Sequence, residues 1–145
     1  AVLENLSGEL ELLPCTEYLL EEGQQIRAAS TNKFIITEDG AVTSHVLKKL
    51  VCPAIISSQL RDQLEKYAFK AFKALGAKYC CVFDIRVNEA DEPYFLEAGC
   101  YCTLTGVSAI PTMVKTRGMK RIELFEHLFA LVKRDKERIE RKQEV

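Results

Sequence analysis

The sequence predicts an α+β fold in which an antiparallel sheet packs against two main helices. Apolar residues recur at helical spacing between Ser57 and Leu75, and again after Arg121. Between these stretches, residues 79–99 alternate in polarity as the two strands of a hairpin do, with a turn at residues 89–92. A hairpin and two amphipathic helices together supply the apolar surface of one core.

The first predicted helix has an apolar face and a signal at each end. Ser57 or Ser58 can cap its start and Gly76 can end it. Its apolar residues are three or four positions apart, which places them on one side of the helix. They are Leu60, Leu64, Ala68, Ala71 and Leu75.

The last predicted helix begins at about Arg121 and ends in a charged tail. Its apolar side is predicted to carry Leu124, Phe125, Leu128, Phe129 and Val132. Residues 133–145 are nearly all charged, which is typical of a solvated helix end. We therefore expect residues 1–145 to form a single domain with a charged helical tail at 133–145.

The first fifty residues carry weaker signals. Short strands are predicted at Val2–Leu3, at Glu9–Leu13 and at Phe34–Thr37. The polar stretch at residues 21–32 is predicted to be a loop.

Composition excludes several classes of function. The chain has 20 basic and 21 acidic residues and a net charge of −1, so we expect no nucleic acid and no anionic membrane as partner. No apolar run approaches the ~20 residues of a membrane-spanning helix, and no signal peptide is evident. We expect a cytoplasmic protein with reduced cysteines. Ala1 lies in an apolar run, so we interpret the sequence as part of a longer chain.

Two acidic residues are predicted to face each other across the hairpin. If four residues join the strands, Asn88 faces Pro93 and Asp84 faces Glu97. Val82 then faces Gly99. The opposite face of the hairpin, which we expect to pack on the first helix, carries Phe83, Ile85, Leu96 and Ala98.

Facing carboxylates repel each other unless a cation lies between them. One candidate is a magnesium ion, which favours one or two carboxylates together with substrate phosphates. The other is Arg86, which lies two residues from Asp84 on the same face and could form a salt bridge with Glu97. The pattern alone leaves both interpretations open.

The same register places Cys81 opposite Cys100 on the core-facing side. They are interpreted as reduced core residues or, in an oxidising setting, as a cross-strand disulfide. A zinc site built from these residues, Cys80 and Cys102 is disfavoured, because neighbouring strand residues point to opposite faces.

Residues 50–132 resemble the C-terminal half of the ATP-grasp domain in the D-alanine–D-alanine ligase family. The resemblance rests on the order and spacing of motifs that are individually weak. They are Cys52-Pro53-Ala54, Phe83-Asp84-Ile85, Tyr94-Phe95-Leu96-Glu97-Ala98, Leu104-Thr105-Gly106-Val107-Ser108-Ala109-Ile110-Pro111 and Gly118-Met119.

The resemblance implies a ligation that uses ATP and Mg²⁺ to join a carboxylate to an amine. Carried over by position, Asp84 and Glu97 would be metal ligands, with Gly99 at the position of the family's asparagine ligand. The loop that holds the second substrate would contain Leu104, Thr105 and Ser108. The implied partners are ATP, a small amino-acid substrate and either an N-terminal half or a second copy of the chain.

The sequence departs from the family pattern where the chemistry takes place. Gly99 offers no side chain to a metal, and Val82 replaces an arginine that could donate to a phosphate. The loop's Pro-Gly is Cys102-Thr103. Loss of one preorganised donor commonly costs a factor of ~100–1000 in rate, so we expect weak or absent ligase activity. The alternative is a binding or interaction protein derived from an ATP-grasp ligase.

Overall fold

The computed structural model describes residues 1–19, 35–40, 42–43, 50–100, 103–104 and 108–143. The predicted loop at 21–32 lies outside these residues. In chain order the elements are β1 (Val2–Glu4), β2 (Leu10–Leu12), β3 (Glu17–Tyr18), β4 (Ile35–Ile36), β5 (Val42–Thr43), β6 (Leu50–Val51), α1 (Ser58–Ala74), β7 (Cys80–Val87), β8 (Pro93–Gly99), α2 (Ala109–Thr116) and α3 (Arg121–Gln143).

The main sheet has four antiparallel strands in the order β2-β1-β7-β8. The first strand of the chain is therefore internal: Val2 faces Leu12 on one side and Cys81 on the other. Strands β3 and β6 form a separate antiparallel pair, as do β4 and β5. Within the described residues, β8 is an edge of the main sheet.

Helices cover both faces of the main sheet. Helix α1 packs on one face, where Phe72 and Ala68 meet Val2 and Phe83. Helices α2 and α3 pack on the other face, in a cluster that includes Leu3. The α+β prediction is confirmed, although the structure has a third helix, α2, that was not predicted. At eight residues α2 is too short to show a helical period in sequence.

Helix α1 begins where predicted but buries a different residue near its end. The hydroxyl of Ser57 accepts a hydrogen bond from the Leu60 amide at 3.1 Å, and Gly76 follows the helix with φ +62°. Phe72 is buried, whereas Leu75, which was predicted to lie on the apolar face of the helix, is 58% exposed. The helix ends at Ala74, so Leu75 no longer continues the buried face.

Helix α3 buries a narrower face than predicted. Leu124 and Leu131 are fully buried, whereas Phe129 is 71% exposed and Val132 is 48% exposed. Positions 124, 128 and 131 share a face at helical spacing, and Phe129 and Val132 lie on another side. None of the described helices is long and apolar enough to cross a membrane.

The second half of α3 is held to the sheet by ionic contacts. Arg134 forms a 2.6 Å ion pair with Glu4 of β1, and Asp135 pairs with Lys78 at 3.3 Å. Arg134 also donates to the carbonyl oxygens of Asn5 and Leu6. These contacts fix the helix against the β1–β2 turn within about one helical turn of the buried Leu131.

Candidate functional site

The β7–β8 hairpin combines a longer loop than predicted with a β-bulge. Val87, rather than Asn88, faces Pro93, so five residues join the strands. The register shifts at Leu96, the extra residue of the bulge, and from there Asp84 faces Glu97 as predicted. The shift also corrects the predicted core face: Leu96 is 66% exposed, and Phe95 contacts Phe83 instead, with 5.4 Å between ring centroids.

Asn88 shapes the five-residue loop. Its side-chain oxygen accepts hydrogen bonds from the amides of Ala90 and Glu92 at 3.0 and 2.9 Å. Its side-chain nitrogen donates to the Glu92 carboxylate at 2.8 Å. Asp91 adopts φ +58°, which its short polar side chain tolerates. The loop thereby sets the starting register of both strands.

Asp84 and Glu97 form the candidate site. Both side chains are exposed, and the two residues are direct partners in the antiparallel ladder. Partners of this kind have Cβ atoms about 5 Å apart, so the carboxylates can approach one cation together. The pair lies on the sheet face covered by α2 and α3, two residues along β7 from the partly buried Val82.

The salt bridge between Arg86 and Glu97, which was the alternative interpretation, is not formed. Among the ion pairs of the described residues, none involves Asp84 or Glu97. Arg86 faces Tyr94 across the ladder. The Tyr94 phenol donates to Glu92 at 3.2 Å, and this hydrogen bond raises the pKa of Tyr94. Both acids therefore remain available to a cation from solution.

On one side of the acids, the next positions of the two strands lack polar side chains. Val82 faces Gly99, so the two departures from the family pattern meet at one place in the sheet. Within the described part of the chain, no group of three or more His, Cys, Asp and Glu side chains could hold a metal. Two carboxylates fit the ligand set of Mg²⁺ bound together with substrate phosphates, but not a site made by protein side chains alone.

The predicted substrate residues are only partly placed. Leu104 is half-buried and packs, like Val82, against the cluster beneath α2 and α3. Ser108 is half-buried at the start of α2, where its carbonyl oxygen accepts hydrogen bonds from the amide and hydroxyl of Thr112. Thr105 lies outside the described residues. The structure thus places Leu104 and Ser108 at the α2 side of the hairpin.

A cleft of about 570 Å³ lies on another part of the surface, beside β2. A 2.6 Å ion pair between Glu11 and Arg117 contributes to its wall, as do Arg61 and Cys15. Burial raises the pKa of the Cys15 thiol. Neither Asp84 nor Glu97 lines this cleft, although Pro53 and Ala54 of the Cys52-Pro53-Ala54 motif do.

Comparison with known proteins identifies the family. The model of the family "D-ala D-ala ligase C-terminus" matches residues 23–130. The chain is 35% identical over 69 residues to a D-alanine–D-alanine ligase of Ruthia magnifica subsp. Calyptogena magnifica, covering 48% of this chain and 24% of the relative. It is 30% identical over 79 residues to a D-alanine–D-alanine ligase of Nitrosococcus oceani, covering 54% and 25%.

The fold agrees with that family. A D-alanine–D-alanine ligase structure from Bacillus anthracis superposes with a TM-score of 0.63 at 14% identity, covering 94% of this chain and 39% of that one. The fold and the match over residues 23–130 define a C-terminal domain of the ATP-grasp type. The chain belongs to the D-alanine–D-alanine ligase C-terminal family, and its matches span about a quarter of the length of these curated relatives.

Proposed function

We propose that this chain is the C-terminal subdomain of an ATP- and magnesium-dependent carboxylate–amine ligase, and that alone it has little or no ligase activity. Residues 1–145 would act as one unit, with residues 133–145 as its charged helical tail. The observation that carries the proposal is the facing pair Asp84 and Glu97, which has no ion-pair partner among the described residues, in a chain of this family.

In this proposal Asp84 and Glu97 are the side chains that hold Mg²⁺, and Gly99 contributes at most its backbone. The ion, when bound, would neutralise charge on the phosphates of ATP. Leu104, Thr105 and Ser108 would line the loop that receives a small amino-acid substrate. Leu104 supplies apolar contact, whereas the hydroxyls of Thr105 and Ser108 can donate to a carboxylate.

The proposed weakness of the activity follows from Val82 and Gly99. A valine side chain cannot donate to a developing negative charge, and glycine cannot add a ligand to the metal. Because the two residues face each other, one side of the site lacks both polar groups. The partner that completes the site would be an N-terminal half or a second copy of the chain, acting in the cytoplasm.

Metal binding tests the assignment of the two acids. Mn²⁺ serves as a paramagnetic stand-in for Mg²⁺, and with ATP present we expect it to broaden the NMR amide signals around β7 and β8. Asp84→Asn and Glu97→Gln should each weaken binding by about tenfold or more, because the remaining ligand set loses a charge. Glu89→Gln, in the exposed loop of the same hairpin, is the matched control and should bind as the wild type does. Equal binding by all four proteins would refute the assignment.

Restoring a ligand tests the explanation of the weakness. Gly99→Asn places an amide oxygen beside Glu97 on the family's metal position, and we expect the Kd for Mn²⁺ to tighten by about tenfold. ADP release from ATP and D-alanine by the unsubstituted chain should not exceed the rate without protein. Turnover above that rate would show that the chain is active as it stands.

A non-catalytic binding protein is the second candidate, and one observation favours it. Helix α3 exposes a second apolar face outside the core, which includes Ile122, Phe129 and Val132. Such a face suits a contact with another protein. If the NMR experiment detects neither Mn²⁺ nor ATP, this candidate is favoured over the ligase subdomain.

A further inference from the structure

Two cysteine thiols approach each other at the end of the β7–β8 hairpin. The Sγ atoms of Cys81 and Cys100 are 3.8 Å apart. Cys81 is fully buried in the cluster beneath α1, whereas Cys100 is exposed. The prediction that both are buried core residues is therefore wrong for Cys100, although the two side chains do lie together. Neither residue is in a disulfide in the structure. The pair thus consists of one solvent-exposed thiol and one buried thiol.

The backbone around the pair already suits a disulfide. Val82 faces Gly99 in the last pair of the β7–β8 ladder, so Cys81 and Cys100 are the two positions directly beyond that pair, where facing geometry would continue. Facing residues of antiparallel strands have Cα atoms about 4.5–5.5 Å apart, within the range of about 4.4–6.8 Å found for disulfides. Bond formation therefore requires side-chain rotation rather than movement of a strand.

We propose that Cys81 and Cys100 are a site of reversible oxidation to a disulfide by hydrogen peroxide. The exposed Cys100 thiolate attacks one peroxide oxygen, which gives a sulfenic acid and releases hydroxide that is protonated to water. The Cys81 thiol then loses its proton and attacks the Cys100 sulfur, forming the S–S bond and releasing a second water. Two thiols lose two electrons and two protons, and hydrogen peroxide becomes two molecules of water.

The disulfide would fix the chain where β8 ends. Cys100 directly follows Gly99, and the proposed substrate residues begin four positions later at Leu104. A thiol reductant would reverse the bond, as expected of redox-sensing disulfides in a reducing compartment. The proposal concerns the thiols alone and does not depend on ligase activity.

Peptide mapping tests the site. Trypsin cuts after Lys78, Arg86 and Lys115, which gives peptides 79–86 and 87–115 with two cysteines each. The double substitution Cys80→Ala and Cys102→Ala leaves one cysteine in each peptide. The folded protein is treated with hydrogen peroxide, its remaining thiols are alkylated, and it is digested without reductant. We expect the two peptides to be cross-linked and to separate after reduction.

Single substitutions separate this pair from the other thiols. Cys100→Ser should abolish the cross-link and leave Cys81 alkylated at least tenfold more slowly than Cys100 in the wild type, since Cys81 is buried. Cys15→Ser, whose thiol lies beside the cleft near β2, is the matched control and should keep the cross-link.

Two outcomes would overturn the proposal. One is oxidation of Cys100 to sulfinic acid without a cross-link. The other is a cross-link in the unsubstituted protein that fragment sequencing assigns to Cys80 or Cys102. The unsubstituted protein also serves as the independent measurement if Cys80→Ala unfolds the chain, because fragment sequencing distinguishes Cys80 from Cys81.

Discussion

Tyr79, just before β7, has a backbone conformation that glycine adopts more easily. Its φ is +66°, in the left-handed region, and the amide of Cys80 donates to the carbonyl of Lys78 around it at 2.7 Å. The side chain is held by a hydrogen bond from its hydroxyl to Asp135 at 3.4 Å. For a residue with a Cβ, this conformation costs about 1–2 kcal/mol.

We therefore expect Tyr79→Gly to be more stable than Tyr79→Ala by about 1 kcal/mol. Both variants lose the same aromatic side chain, and only glycine relieves the backbone. Urea unfolding measures the difference. At the neighbouring Lys78, which has no positive φ, the order should reverse, with Lys78→Ala more stable than Lys78→Gly. The same order at both positions would contradict the backbone explanation.

Asp135 makes stability depend on pH. Hydrogen bonds from Arg134, and then from Lys78, lower the pKa of its carboxyl. Because the folded pKa lies below the unfolded value of about 3.9, the contribution is complete above that pH. It is lost as pH falls through the lowered folded pKa.

Arg134→Gln should therefore shift the pKa of Asp135 upward, towards its ordinary value. NMR titration of the Asp135 carboxyl in both proteins measures the shift directly. The substitution should also flatten the loss of stability in acid, since less of the pKa difference remains. An unchanged Asp135 titration would show that Arg134 does not control this carboxyl.

At the scale of elements, the start of α1 depends on one hydroxyl. Ser57 accepts from the Leu60 amide at 3.1 Å, which satisfies one of the first amides of the helix. Ser57→Ala should cost about 1 kcal/mol of unfolding free energy. Ser58→Ala, at the exposed first residue of the helix, should change it by less than about 0.5 kcal/mol. Equal effects in thermal unfolding would mean that Ser57 does not cap the helix.

The elements also show how far sequence patterns reach. The bounds of β8, the start of α3 and the Ser57 cap follow from alternation, periodicity and capping chemistry. The bulge could not be predicted from these patterns, because Phe95 and Leu96 are both apolar and either could continue the buried face. The facing of Asp84 and Glu97 was predicted correctly, although the extra loop residue and the bulge were both missed, because the two shifts cancel. The charge pattern did not indicate that both acids lack an ion-pair partner among the described residues, since ion pairing depends on how far each side chain reaches.

At the scale of the whole molecule, one sheet joins two cores. Phe72 lies in the cluster beneath α1 and Ile110 in the cluster beneath α2 and α3, and β1 contributes Val2 to the first and Leu3 to the second. The clusters therefore share a strand while lying on opposite faces.

We expect the chain to unfold as one cooperative unit. Ile110→Val should cost about 1 kcal/mol and Phe72→Leu about 1–2 kcal/mol. Their effects should add within about 0.5 kcal/mol in the double variant, because the residues lie in separate clusters. Calorimetry and circular dichroism together test this. Two transitions, or a strong departure from additivity, would show that the two cores do not behave as independent parts of one unit.

The bulge at Leu96 also bears on how this protein meets other copies of itself. Strand β8 begins with Pro93, which has no amide hydrogen to donate, and its ladder is interrupted three residues later. A neighbouring strand that tried to extend the sheet there would find only short regular stretches on either side of the kink. Natural sheets use proline and bulges in this way to prevent edge-to-edge aggregation. The irregularity next to the two acids thus makes β8, an edge among the described residues, a poor template for fibres.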